Sequence, residues 1–172
     1  PSDPGPGAPM PDPNTVQDPN GTPPPPGDDD GGGGTRTLRF AFFAGANSPL
    51  GRLGSELRIA FSDRQDYCQL LEDGQRAADS AVLNVTVRTQ QRLEAGARFD
   101  SSETRAILDT YDDKCKHEDV RQDPSTVNLM RIDDSAATGQ VSLQGSAAQV
   151  SFTAVRCEAL LTNARTGGKC LR

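Results

Sequence analysis

The chain has no tryptophan, one histidine, two methionines and only 5% aromatic residues. A single imidazole, His117, excludes a histidine-rich metal centre and leaves a Ser-His-Asp hydrolase one possible base. No Gly-x-Ser-x-Gly elbow accompanies it, so His117 reads first as a polar residue of an exposed loop. Close-spaced cysteine pairs are missing too, and with them the spacing of a structural zinc site. No apolar run approaches the roughly 18 to 20 residues of a membrane helix. Gly31–Gly34 lacks the Lys-Ser/Thr that completes a phosphate-binding loop and reads as a hinge.

Basic residues are absent from the first 34 positions, which hold 11 of the 13 prolines, 8 of the 17 glycines and six aspartates. Met10 and Val16 are the only sizeable apolar side chains there, too few to offset the entropy of ordering the segment. Residues 1–34 are therefore expected to form a disordered acidic tether, and residues 35–172 a folded domain. The six leader aspartates account for the net charge of −6, since the remaining 18 acids match the 18 Lys and Arg. A neutral domain with an acidic tail is a poor nucleic-acid binder, so none is expected as a partner. Opening at Pro1, in the middle of the linker composition, the chain is expected to follow removal of an upstream segment.

What remains is four cysteines, Cys68, Cys115, Cys157 and Cys170, in an arrangement without metal spacing. An even count of this kind points to two disulfides and an oxidising compartment. Three pairings are possible. The favoured one joins Cys68 to Cys157 and Cys115 to Cys170, tying an early element to the last strand and the terminal loop to the Cys115 loop.

Seven stretches alternate apolar and polar residues with the period of a half-buried strand: 38–44, 56–61, 82–88, 106–111, 126–132, 138–143 and 149–155. Ser62 is positioned to cap a short helix whose Tyr67, Leu70 and Leu71 form an apolar stripe ending at Gly74. Asp133-Asp134-Ser135 and Gln144-Gly145-Ser146 read as turns between strands, and Ala159, Leu160 and Leu161 as one weak helical turn. With no helices between most strands, the expected fold is mainly β: a disulfide-stapled antiparallel sandwich of about seven strands with one short helix.

The order Ser62-Asp63-x4-Cys68, paired strands, Gly139-x-Val141-x-Leu143 and a final Ser151-x-Thr153-Ala154-x-x-Cys157 resembles small surface lipoproteins of myxobacterial type over residues 38–157. The resemblance implies a cell-envelope location and a non-enzymatic role, and names no ligand.

Asp109, Asp112, Asp113, Glu118, Asp119 and Asp123 concentrate hard oxygen donors of the type calcium prefers, although no EF-hand spacing is present and Lys114 and Lys116 lie among them. A solvated charged loop is the simpler reading. Adjacent carboxylates do not supply the pair across a cleft that a glycosidase needs. The functional expectation is an outer-membrane-anchored or secreted binding or scaffold module acting through exposed loops (45–54, 109–123, 158–169) and sheet edges. It needs no cofactor. Its partner would be a protein or a surface assembly, and membrane contact would come only from a lipid anchor upstream of Pro1. Two alternatives are a structural subunit of a surface filament or adhesion complex, and a small secreted hydrolase using loop carboxylates or His117.

Overall fold

The computed structural model describes residues 36–47, 54–122, 124–143, 149–162 and 168–171. Residues 1–35, 48–53, 123, 144–148, 163–167 and 172 lie outside them, and with them the expected tether, part of the 45–54 loop and the turn expected at Gln144-Gly145-Ser146. Contacts divide the chain into Pro1–Gly34 and Thr35–Arg172.

The second unit is mainly β. Its strands are β1 (Phe40–Ala46), β2 (Ser55–Ser62), β3 (Gln75–Ala77), β4 (Ser80–Thr89), β5 (Arg98–Asp100), β6 (Thr104–Tyr111), β7 (His117–Arg121), β8 (Pro124–Ile132), β9 (Ala136–Leu143), β10 (Gln149–Arg156) and β11 (Lys169–Leu171). Two short helices, α1 (Tyr67–Glu72) and α2 (Ala159–Thr162), complete the described elements.

Nine strands form one sheet in the order β5-β8-β9-β10-β1-β2-β4-β6-β7, and β11 pairs with β3 in a second. The expected antiparallel sandwich of about seven strands is thus not matched exactly: the sheet is mixed. β1 runs parallel to β10, and β3 runs parallel to β11. Alternation along a strand reports which face is buried and carries no information about the direction of the neighbour, so this pairing was invisible in the sequence.

One face of the sheet is apolar from β5 to β6. Phe43, Ile59, Val85, Ala106, Val127, Val141 and Phe152, from β1, β2, β4, β6, β8, β9 and β10, join Phe99 of β5 in a single buried cluster. Strands this distant in the sheet order share a core because the sheet curls around it. Full burial of each large side chain contributes about 1.5–3 kcal/mol. At the centre, Phe61 and Phe152 meet edge-on at 5.8 Å.

The opposite face carries a smaller apolar cluster. Phe42, Ala44, Ala60 and Val82 pack there against Ala159, Leu160, Tyr67 and Leu71 of the two helices. The connection from β2 to β4 therefore folds over the sheet as a flap containing α1 and β3. Ser62 does not cap α1: its Oγ accepts the Arg64 N–H, and the helix begins after Asp66 without a side-chain cap. The Asp66 carboxylate is held by the Arg64 guanidinium at 2.8 Å, which keeps it below its ordinary pKa.

Both disulfides secure this flap. Cys68 on α1 is bonded to Cys157 beyond β10, and Cys170 on β11 is bonded to Cys115 before β7. These are the pairings favoured from the sequence, and all four cysteines are bonded. Such a fold belongs to oxidising, extracytoplasmic surroundings. Among the described residues no helix is long and apolar enough to cross a membrane.

Candidate binding groove

Between the flap and the sheet lies a groove of about 680 Å³, floored by β2, β4, β6 and β7 and walled by α1 and β3. Strand pairing sets its floor in rows. Arg58, Thr86 and Arg105 are register partners, as are Ala60, Asn84, Ile107 and Arg121 in the next row. Val82, Asp109 and Asp119 follow, then Ser80, Tyr111 and His117.

A hydrogen-bonded chain runs along the floor. Asp109 is only 6% exposed, and its carboxylate accepts the Asn84 Nδ2–H at 2.7 Å and meets His117 Nε2 at 2.7 Å. Tyr67 continues the chain through a hydrogen bond with Asn84. Desolvation beneath the flap, reinforced by the negative potential of Tyr111 and Asp109, pushes its phenol well above the ordinary value. Tyr67 therefore stays neutral throughout the physiological range. The His117 ring stacks on Tyr111 with centroids 5.1 Å apart, and the Arg76 guanidinium covers the Tyr111 ring at 5.4 Å.

His117 was expected in a polar loop spanning 112–123. It lies instead on β7, an edge strand paired with β6 from Ile107–Arg121 to Tyr111–His117. The five residues of β7 are all exposed and show no apolar alternation, so only backbone pairing makes the strand.

The carboxylates weighed for calcium do not converge. Asp109 and Asp119 are cross-strand partners facing the groove, and Asp109 is already satisfied by Asn84 and His117. Glu118 alternates to the other side and pairs with Lys116 at 3.3 Å. Asp112 accepts the backbone N–H groups of Lys114 and Lys116, which close the turn and hold its pKa down. Asp113 is exposed, and Asp123 lies outside the described residues. No group of three or more His, Cys, Asp or Glu among the described residues is placed to hold a metal ion. Among the described residues these carboxylates belong to a turn and to the groove wall.

The hydroxyls of three groove serines are similarly committed. Ser80 Oγ donates to the Ala77 carbonyl at 2.8 Å, Ser62 Oγ accepts from Arg64, and Ser102 Oγ donates to Asp100. None of Asn84, Thr86, Arg58 and Arg105 is read from the sequence as a binding-site residue. As polar members of alternating strands they read as solvent-facing, and only the flap turns that face into a recess. A scan of protein-family models, a search of curated proteins and a search of solved structures each found no match for this chain.

Proposed function

We propose that the domain is a non-enzymatic, extracytoplasmic binding module carried on residues 1–34 as a tether, and that it binds through the groove beneath the flap. The observation that carries this reading is the placement of both disulfides. Each fastens a part of the groove wall, α1 or the β3–β11 pair, to the framework below it. Recesses of 300–1,000 Å³ with a few fixed polar groups are typical of small-ligand sites. A tether of 34 residues spans roughly 30 Å as a coil, more where proline stiffens it. That length holds a module clear of a surface, in keeping with the lipoprotein resemblance and a lipid anchor upstream.

A thermal-shift screen of the native chain against polar metabolites and saccharides tests the reading, with Thr86→Trp as a variant that fills the groove floor. Ligands that raise Tm in the native chain and not in the variant support it. Ligands acting equally on both would place binding elsewhere.

One observation favours a second reading. A buried Asp109 orienting His117 at 2.7 Å has the geometry of a general-base pair. Turnover on ester, phosphoester or glycoside substrates that disappears in His117→Ala would establish that reading and displace the binding module.

A further inference from the structure

We propose that the ligand of this groove carries an oxyanion, a carboxylate or a phosphate, recognised by Arg88, Arg105 and the Thr86 hydroxyl; the inference rests on the groove being the binding site. Six arginines line the recess, Arg58, Arg64, Arg76, Arg88, Arg105 and Arg121, against three acids, Glu103, Asp109 and Asp119. This is a local cationic excess on a domain whose charges cancel overall. No lysine lines the recess. Guanidinium groups present paired N–H donors that match the two oxygens of a carboxylate or phosphate, which a point-charge ammonium does not.

The arginines differ in how far they are committed. Arg58 donates Nε–H to Glu56 at 2.7 Å and Nη1–H to the Leu160 carbonyl at 2.7 Å, so it ties α2 to the floor. Arg64 is taken by Asp66. Arg76 lies over Tyr111. Arg88 is 74% exposed and reaches Glu56 only at 3.9 Å, while Arg105 forms no ion pair among the described residues.

Arg105 stands directly across from Thr86 in the β4–β6 register, and Arg88 lies two residues along β4 on the same face. The register thus places two arginines and a threonine at adjoining positions on one face of the floor. The negative charges nearby are already engaged. Glu103 accepts from Thr89 Oγ1, and Asp109 from Asn84. An incoming anion therefore meets donors with hydrogen-bonding capacity to spare, and two of the three groove carboxylates are already occupied.

The test is a ¹⁵N-resolved NMR titration of the full oxidised chain at constant ionic strength, with citrate as the carboxylate probe, inorganic phosphate as the phosphate probe and methyl glucoside as a neutral one. The expected result is saturable shifts at Thr86, Arg88 and Arg105 with citrate or phosphate, and the better probe identifies the oxyanion. Arg88→Glu and Arg105→Glu should each weaken binding at least tenfold. Arg92→Glu, exposed and outside the groove, should leave it unchanged. Both substituted arginines are solvent-facing, and an unchanged pattern of core amide signals verifies that the variants remain folded. Shifts that stay linear for both anions, or an affinity indifferent to the two substitutions, overturn the assignment. Saturation by the neutral probe alone overturns the oxyanion and leaves the groove standing. Saturable binding of any probe that shifts only signals outside the groove overturns both.

Discussion

At the level of single residues, two positions carry most of the local constraint. Gly139 lies in β9 between Leu129 on one side and Phe152 on the other. A Cβ there would fall 2.2 Å from the Asn128 carbonyl oxygen and 2.9 Å from the Phe152 ring. The first neighbour is backbone and does not yield, so Gly139→Ala should cost about 1–3 kcal/mol of unfolding free energy, as overpacked cores do. Urea denaturation checks it, and an unchanged midpoint would contradict the close approach.

Asp133 closes the β8–β9 turn by accepting the Ser135 N–H, the Ser135 hydroxyl and the Ala136 N–H, with Arg131 beside it. These donors, the Ser135 amide foremost, hold its carboxyl far below the ordinary range. A depressed folded value means the contribution is complete above the unfolded pKa of about 3.9 and is lost as pH falls towards the folded value. Asp133→Asn should therefore be less stable than the native chain from pH 5 to 7, with the gap shrinking below about pH 4. A gap independent of pH down to 2 would contradict the turn's chemistry. The Asp133-Asp134-Ser135 turn was legible in the sequence because Asp followed two residues later by Ser is a local hydrogen-bonding pattern. Asp109 was misread as a loop ligand because its partner Asn84 is 25 residues away.

At the level of elements, the longer strands were readable and the short ones were not. β2, β4, β9 and β10 alternate over 8 to 10 residues, enough for the period to appear. β3, β5 and β11 have three residues each, too few for any period, and β7 exists only through its pairing with β6. The helix at 67–72 was visible from its apolar stripe, and its place over the sheet was not, since α1 is anchored by Cys157 from the far end of the chain.

The two cross-links make separable contributions. Their sequence separations are 89 and 55 residues. Chain entropy assigns about 4.5 and 4 kcal/mol to loops of that size. Replacing Cys115 and Cys170 by serine should lower Tm and expose the β3–β11 pair to proteolysis, leaving α1 protected. Replacing Cys68 and Cys157 should release α1 first. Identical cleavage patterns in the two variants would show that the flap is not held at two independent points.

On the scale of the whole molecule, charge and apolar content are divided between the two parts of the chain. The sequence pI of 4.8 belongs to the leader aspartates, not to the domain. Deleting residues 1–34 should raise the isoelectric point to near neutrality while leaving Tm within about 1 °C, because the leader has almost no apolar surface to bury. A large loss of Tm would mean that the leader is part of the folded unit. Two cross-links and a curled sheet around one core give the domain a rigid base. The wall surface of the groove is supplied by the connection laid over that base.

The dependence of that surface on sulfur bonding is open to direct measurement by hydrogen–deuterium exchange on the native chain before and after reduction with dithiothreitol. We expect residues 67–77 and 169–171 to lose protection on reduction, while β2, β4 and β9 retain theirs. Equal protection of the flap in both states would contradict the conclusion that the disulfides build the groove.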